Sequence, residues 1–301
     1  MSVPAAYLSI ILIWSTTPLA IQWSTQGTGF AFAVFARMLI GFSLAALIVV
    51  FWRIGFPLHG RARRAYLLSG LSLFAAMALT YWGARHIHSG LVSVLFGLSP
   101  LMASIMAHLW LGEKSLGRRH LAGMLLALGG LAVIFLYGGS WGGPQAVAGL
   151  AALLLAVFIY SAGLVGLKRI GDDSPPLATT VGALGVALPL FALLWWSAEE
   201  GAVPAAIPPR ALAAITYLGI FGSVIGFALY YYVIKHLDAS RIALITLMTP
   251  VVALLLGHWL NGETISLRLW AGTAMILGGL ALHQGALIAR ALRLRLVSAT
   301  G

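Results

Sequence analysis

A segment of 33 residues that occurs twice is the feature that most restricts how this chain can fold. Residues 81–113 and 231–263 align without a gap at a fixed offset of 150, and seven aligned positions are identical. The identities include Pro100 with Pro250, two histidine pairs and the Gly-Glu pair that ends each segment. Two unrelated apolar segments would match mainly in leucine and alanine, so the pattern indicates two copies of one structural unit.

The composition places both copies in lipid. Hydrophobic residues make up 61% of the 301 residues and charged residues only 8%, whereas soluble domains carry about 25% charged residues. Ten apolar runs approach or exceed the length of about 20 residues that crosses a bilayer. They cover residues 3–23, 30–52, 64–85, 88–111, 118–137, 145–168, 175–197, 209–234, 238–260 and 266–289. Because backbone groups must pair internally in hydrocarbon, each run is predicted to be an α-helix.

Basic residues in the links set the predicted orientation. With both termini in the cytoplasm, fourteen Lys and Arg residues lie in cytoplasmic segments and three in outer segments, which follows the positive-inside rule. The same rule accounts for the net charge of +11, so we expect no nucleic-acid binding. Five spans per copy is an odd number, so the second copy crosses the membrane in the opposite sense. We predict two inverted five-helix repeats, residues 1–140 and 141–301, an architecture typical of secondary transporters.

These residues resemble the drug/metabolite transporter superfamily in its ten-helix EamA-type branch. The shared features are a mid-helix proline followed by Gly-Glu in the fourth and ninth runs, and Arg37 in the second run. The glycines typical of the fifth and tenth helices are here Gly123, Gly129, Gly130, Gly272, Gly278 and Gly279. The resemblance implies export of metabolites, often amino acids, by alternating access. It also implies a central cavity lined by helices 1, 3, 4, 6, 8 and 9, with helices 5 and 10 as scaffold.

The acidic residues distinguish the chain from one group of relatives. Small multidrug resistance proteins carry a glutamate in the first helix that exchanges protons for cationic drugs, and the first run here has no carboxylate. All seven acidic residues lie at predicted helix ends or in links. Buried carboxylates are the usual proton carriers in membranes and the usual partners of organic cations. We therefore expect a neutral or zwitterionic substrate that moves down its own gradient.

Prolines inside three predicted spans are candidate helix breaks. A proline within a helix frees the carbonyl of the residue four positions earlier. The prolines are Pro18, Pro100 and Pro250, and the freed carbonyls belong to Trp14, Phe96 and Thr246. Ser99 and Thr249 precede two of the prolines and can supply hydroxyl groups. A freed carbonyl must line a polar cavity or meet a side chain, so we predict that these breaks lie at the substrate cavity. Simple packing kinks are the alternative interpretation.

Aromatic and hydroxyl side chains around these breaks form the predicted substrate-binding set. The set consists of Trp14, Tyr81, Phe96, Ser99, Tyr160, Phe227, Tyr231, Thr246 and Thr249. Trp14 lies deep in the first span and aligns with Tyr160. Tyr81 and Tyr231 each follow a methionine or an aromatic residue by four positions, so the two side chains of each pair share one helix face. Such a pocket is aromatic and uncharged, which suits a substrate with an apolar side chain. Packing in a helical core is the alternative for each aromatic residue.

The sequence supports specific predictions for the roles of three charged residues. Arg37 is the only Lys or Arg well inside a span, so it either contacts the substrate or has a structural role at the helix end. Glu113 and Glu263 each follow a glycine that can end a helix. We expect both carboxylates to stabilise the N-terminus of the helix that follows them in the chain.

The sequence therefore predicts an exporter of small metabolites, with amino acids as the favoured class, in a bacterial inner membrane. Efflux of hydrophobic drugs is the alternative, and an intramembrane enzyme acting on lipid is a remote one because no nucleophile or acid cluster is visible. The chain has no cysteine, and His108 and His258 are predicted on opposite faces, so we expect no metal and no cofactor. The expected partners are a neutral or zwitterionic small molecule and the bilayer. The sequence fixes no oligomeric state and is compatible with a monomer.

Overall fold

The chain is all-helical throughout the part that the structure describes. The computed structural model describes residues 2–112, 117–136, 144–237 and 239–298, and none of these residues lies in a β-strand. In chain order the helices are α1 (Val3–Thr25), α2 (Phe30–Phe51), α3 (Gly60–Ala84), α4 (Ser89–Phe96), α5 (Ser99–Leu111), α6 (Arg118–Leu136), α7 (Pro144–Ile170), α8 (Pro176–Glu199), α9 (Pro209–Tyr217), a π-helix (Leu218–Ile225), α10 (Gly226–His236), α11 (Ala239–Asn261) and α12 (Leu267–Ser298).

Each of the ten apolar runs predicted from the sequence is helical over most of its described residues. Within the described residues, eight helical segments have the length and apolarity needed to cross a bilayer, among them Ser89–Leu111 as a single span. The helices α6 and α12 occupy the positions of the fifth and tenth runs. Helices pair all their backbone groups internally, which is the requirement of a hydrocarbon solvent. The protein is therefore an all-helical integral membrane protein.

The helices form two compact units that do not follow the halves of the sequence. Unit 1 comprises Met1–Leu19, His88–Pro144 and Gly226–Gly301. Unit 2 comprises Ala20–Ile87 and Gln145–Ile225. Each unit thus combines helices from the first and the second half of the chain. Helix α1 contributes residues to both units, because the boundary between the units lies inside it, after Leu19. This boundary is one residue beyond Pro18.

Unit 1 is held together by glycines at helix contacts. In α6 and α12 the backbones touch, since a Cβ atom added to Gly123 would lie 2.5 Å from the carbonyl oxygen of Gly279. In α4, a Cβ atom on Gly90 would lie 2.6 Å from the Cα atom of Leu254 in α11. Such contacts replace the hydrophobic effect, which does not drive helix association in lipid.

Unit 2 uses the same kind of packing between α2, α3, α7, α8 and the π-helix. A Cβ atom on Gly70 of α3 would lie 2.6 Å from the carbonyl oxygen of Ala183 in α8. A Cβ atom on Gly83 of α3 would lie 2.7 Å from the carbonyl oxygen of Gly149 in α7. An aromatic edge contact adds to the interface of α3 and α8, where the rings of Phe74 and Phe191 are 5.1 Å apart.

Replacing Gly279 by alanine is expected to lower the thermal stability of the protein. The added methyl group would contact the carbonyl of Gly123 and approach the backbone nitrogen of Ala127 to 2.8 Å, so α6 and α12 must separate. Overpacking of this kind costs about 1–3 kcal/mol. The measurement is the unfolding temperature of the purified protein in detergent.

The neighbouring residue provides the matched control. A Cβ atom on Gly278 would meet the Cδ2 atom of Leu126 at 3.5 Å, which is an ordinary contact. Gly278→Ala should therefore leave the unfolding temperature unchanged or raise it, because alanine favours a helix by about 1 kcal/mol over glycine. Equal effects of the two substitutions would contradict the close packing of α6 on α12.

Candidate functional site

The predicted break near Pro100 interrupts the helix in unit 1. Helix α4 ends at Phe96 and α5 begins at Ser99, so Gly97 and Leu98 separate them and Pro100 lies in the first turn of α5. Proline is tolerated there because its missing N–H group has no helical partner. The Ser99 hydroxyl donates a hydrogen bond of 2.7 Å to the carbonyl oxygen of Phe96. This is the carbonyl that the sequence predicted to be freed.

The other two prolines differ from the prediction of helix breaks. Pro18 lies inside α1 and Pro250 inside α11, and both helices continue without interruption. The break near Pro100 nevertheless lies beside the second copy of the motif. A Cβ atom on Gly97 would be 3.7 Å from the Cγ atom of Pro250, which is van der Waals distance. Thr249 is buried at this place, while Thr246 is half-buried.

An aromatic pair in unit 1 includes one predicted residue and one that was not predicted. The half-buried ring of Trp14 in α1 lies 4.9 Å from the ring of Tyr230 in α10, at an angle of 45°. Both side chains pack against a small apolar core that includes Ile10 and Val233. The sequence favoured Tyr231 instead of its neighbour because Tyr231 aligns with Tyr81. The run of three tyrosines at positions 230–232 left the facing residue undecided.

The predicted set is divided between the two units. Trp14, Phe96, Ser99, Phe227, Tyr231, Thr246 and Thr249 belong to unit 1, and Tyr81 and Tyr160 belong to unit 2. The side chains of Phe227 and Tyr231 lie outside the described residues. Tyr160 is half-buried in α7 and Tyr81 is fully buried in α3. Substrate binding by these nine residues remains a prediction.

A second polar cluster surrounds Arg37 in unit 2. Arg37 as a whole residue is only 5% exposed. Its Nε atom donates a hydrogen bond of 3.3 Å to the hydroxyl of Ser223, and its Nη1 atom donates one of 3.4 Å to the hydroxyl of Tyr81. The guanidinium carbon is also 6.0 Å from the centre of the Tyr81 ring. Three elements, α2, α3 and the π-helix, therefore meet at one buried cation.

The π-helix explains how Ser223 reaches Arg37. In a π-helix the hydrogen bonds span five residues, and the Ser223 hydroxyl likewise donates to the carbonyl of Leu218, five positions earlier, at 3.0 Å. Gly219 and Gly222 present no side chain to α2; a Cβ atom on Gly222 would be 3.3 Å from the Nη2 atom of Arg37. Sequence reasoning treated this span as a regular helix and missed Ser223, although its glycines indicated close packing.

Comparison with known proteins now decides the family. A family model described as the EamA-like transporter family matches the chain twice, over residues 4–136 and 147–283. The chain belongs to the EamA-like transporter family. This confirms the resemblance to the drug/metabolite transporter superfamily that the sequence motifs predicted. An EamA-like protein is a transporter rather than an enzyme, so the remote alternative of a lipid-modifying enzyme is wrong.

Relatives of this EamA-like transporter include a protein of Streptantibioticus cattleyicolor named "Probable terminal-alkyne amino-acid exporter". The two sequences are 27% identical over 93% of this chain and 92% of that protein. The chain is also similar to the "Uncharacterized inner membrane transporter YedA" of Escherichia coli K12, with 26% identity over 90% of this chain and 87% of that protein. A crystal structure with 23% identity matches with a TM-score of 0.63 over 97% of this chain and 98% of that chain, which supports the fold.

The described carboxylates of this EamA-like transporter include two that cap helices. The oxygens of Glu199 accept hydrogen bonds of 3.0 Å from the backbone N–H groups of Ala31 and Phe32, at the start of α2. Glu263 accepts a hydrogen bond of 3.1 Å from the backbone N–H of Ser89, at the start of α4. Carboxylates are favoured at helix N-termini by the exposed N–H groups and the helix dipole.

The predicted role of Glu263 therefore needs a correction. We expected its carboxylate to stabilise the helix that follows it, and it caps α4 instead. The following helix, α12, is capped by Ser266, whose hydroxyl accepts a hydrogen bond of 3.2 Å from the backbone N–H of Leu269. The equivalent residue Glu113 lies outside the described residues. In the part of the chain that the structure covers, no carboxylate lies inside a span and no three side chains could hold a metal ion.

A histidine in the loop between α3 and α4, His86, has a pKa that the structure perturbs. Burial lowers the pKa of His86 below its ordinary value of 6.5, and the nearby charge of Arg85 lowers it further. The neutral form is therefore favoured at pH 7, so this histidine adds little charge to the loop between α3 and α4.

Glu199→Gln is expected to destabilise the protein by about 1 kcal/mol, the usual value of a helix cap. Glutamine keeps one acceptor for the start of α2 but loses the negative charge and the second carboxylate oxygen. Glu200→Gln is the control, because Glu200 is adjacent and exposed. Thermal unfolding of both variants in detergent checks the prediction, and an effect of Glu200→Gln as large as that of Glu199→Gln would contradict it.

Proposed function

We propose that this transporter exports amino acids with aromatic or other apolar side chains from the cytoplasm. The observation that carries the proposal is the similarity, over nearly the full length of both chains, to a protein named as an amino-acid exporter. Alternating access is the proposed mechanism, in which the substrate site opens to one side of the membrane at a time.

Side chains of unit 1 support a substrate of this chemistry. Trp14 and Tyr230 offer aromatic faces, and Ser99 and Thr249 offer hydroxyl groups close to the break. Aromatic faces favour apolar side chains, while hydroxyls and backbone carbonyls can bind an ammonium group without a full counter-charge. The described span interiors contain no carboxylate that would select an organic cation.

The same lack of acidic groups in the described spans supports transport down the substrate gradient. A proton-coupled carrier usually uses a membrane-embedded carboxylate that is protonated on one side and deprotonated on the other. We propose a bacterial inner membrane as the location, in line with the printed name of the E. coli relative. Cytoplasmic termini are proposed from the distribution of basic residues alone.

The test is the flux of labelled L-phenylalanine, L-tryptophan and L-leucine from proteoliposomes that contain the purified protein. We expect efflux above that of empty vesicles for all three, and efflux insensitive to an imposed pH gradient. Silence for every amino acid, together with transport of hydrophobic drugs, would replace the proposal by the drug-efflux alternative.

Substitution of Trp14 should reduce the flux of aromatic amino acids. Loss of an aromatic contact costs about 0.5–1.5 kcal/mol, so Trp14→Ala should lower transport efficiency by roughly 2- to 10-fold, whereas Trp14→Phe should retain most of it. Trp259→Ala is the control, because Trp259 belongs to the same unit and is 71% exposed. Equal flux in Trp14→Ala and the control would exclude Trp14 from the binding site.

A further inference from the structure

We propose that Arg37, with Tyr81 beside it, binds a carboxylate group of the transported molecule. The inference rests on the proposed function for the identity of that molecule, and it adds a substrate class, namely organic anions and zwitterions with a free carboxylate. The proposed carboxylate-binding site lies entirely within unit 2 and consists of the Arg37 guanidinium, the Tyr81 hydroxyl and the supporting hydroxyl of Ser223.

The charge of Arg37 has no counter-ion among the described residues. Its two recorded partners are neutral hydroxyls. Glu199 contacts the same helix, but its oxygens bind the N–H groups of Ala31 and Phe32, at least five residues before Arg37. Burial of an uncompensated charge is costly, and in a membrane it marks a functional position by default.

The Arg37 cluster has more hydrogen-bond donors than its described neighbours accept. A guanidinium group has five N–H donors, and two of them are used by Ser223 and Tyr81, which leaves three without a recorded acceptor in the described structure. The Tyr81 hydroxyl accepts from Arg37, so its own proton is available to donate. A carboxylate accepts several hydrogen bonds and donates none, which is the complement of this set.

Ser223 has a different task in the cluster. Its hydroxyl proton is committed to the carbonyl of Leu218, so its oxygen can only accept, and it accepts from the Nε atom of Arg37. This contact fixes the Nε edge of the guanidinium, while its Nη2 atom lies beside Gly222 of the π-helix. Ser223 is therefore a positioning residue, and the remaining N–H donors of the Nη atoms are the groups left for a ligand.

The existing contacts of Arg37 are weak enough to be replaced. Both are longer than the usual 2.7–3.2 Å range of N–H···O bonds, at 3.3 and 3.4 Å. Arginine and carboxylate form paired bonds of about 2.7–2.9 Å that are roughly twice as strong as neutral ones. Arg37 is seven residues from the start of α2, or about 10 Å along the helix, so the site is inside the span.

The experiment compares an amino acid with its amide, which lacks the carboxylate, and with a carboxylate that lacks the amino group. L-Phenylalanine, L-phenylalaninamide and phenylacetate are tested for thermal stabilisation of the detergent-purified protein and for inhibition of L-phenylalanine flux in proteoliposomes. The wild-type protein should respond to L-phenylalanine and phenylacetate at concentrations at least about tenfold lower than to the amide, since a hydrogen bond to a charged group contributes about that factor or more.

Variants test whether the preference for carboxylate ligands depends on Arg37 and Tyr81. Arg37→Gln should abolish the preference for the carboxylate ligands, and Arg37→Lys should restore it in part because lysine keeps the charge but not the fork. Tyr81→Phe should weaken the same preference without changing the response to the amide. Arg210→Gln is the control, because Arg210 is an exposed arginine of the same unit that lies over the Trp23 ring, 3.8 Å away.

The outcomes separate this inference from the proposed function. If phenylacetate stabilises the protein through Arg37 while no amino acid is transported, the carboxylate-binding site stands and the amino-acid proposal fails. If amino acids are transported and Arg37→Gln leaves the carboxylate preference intact, the site is wrong and the amino-acid proposal stands. If Arg37→Gln does not fold, the wild-type ligand series and Tyr81→Phe decide, and an equal wild-type response to acid and amide overturns the site.

Discussion

Direct contact between helix backbones is the interaction on which both units of this transporter depend. Lipid offers no hydrophobic gain when two apolar helices meet, so association must come from close packing and from polar contacts. Glycine permits the required approach: Gly123 meets Gly279, and Gly83 meets Gly149. Several of the 35 glycines of the chain thus serve helix packing, while others lie in turns with positive φ.

The same close packing creates the polar interior of unit 2. Because Gly219 and Gly222 have no side chains, the π-helix can lie against α2, and Arg37 is enclosed where the two elements meet. A larger residue at Gly222 would take the space beside the guanidinium. The burial of Arg37 and the π-helix are therefore consequences of the same close packing.

Hydrophobic runs and internal repetition made the helices and their family predictable, because both are properties of the chain read in order. The break at Gly97 was predictable for the same reason, since proline acts on its own helix. Three features were not. Glu263 caps a helix 174 residues earlier in the chain, Tyr230 pairs with Trp14, and Pro250 leaves its helix uninterrupted. Each depends on neighbours that are distant in sequence.

The two carboxylate caps have a consequence for biosynthesis. Glu199 and Glu263 belong to the second half of the sequence, whereas the helix ends that they cap, at Ala31 and Ser89, belong to the first. During translation the first five spans leave the ribosome with these N–H groups unsatisfied. The start of α2 lacks its cap until the chain has grown past position 199, and the start of α4 until it has grown past position 263. The amino-terminal half therefore depends on the carboxyl-terminal half for the caps of two of its helices.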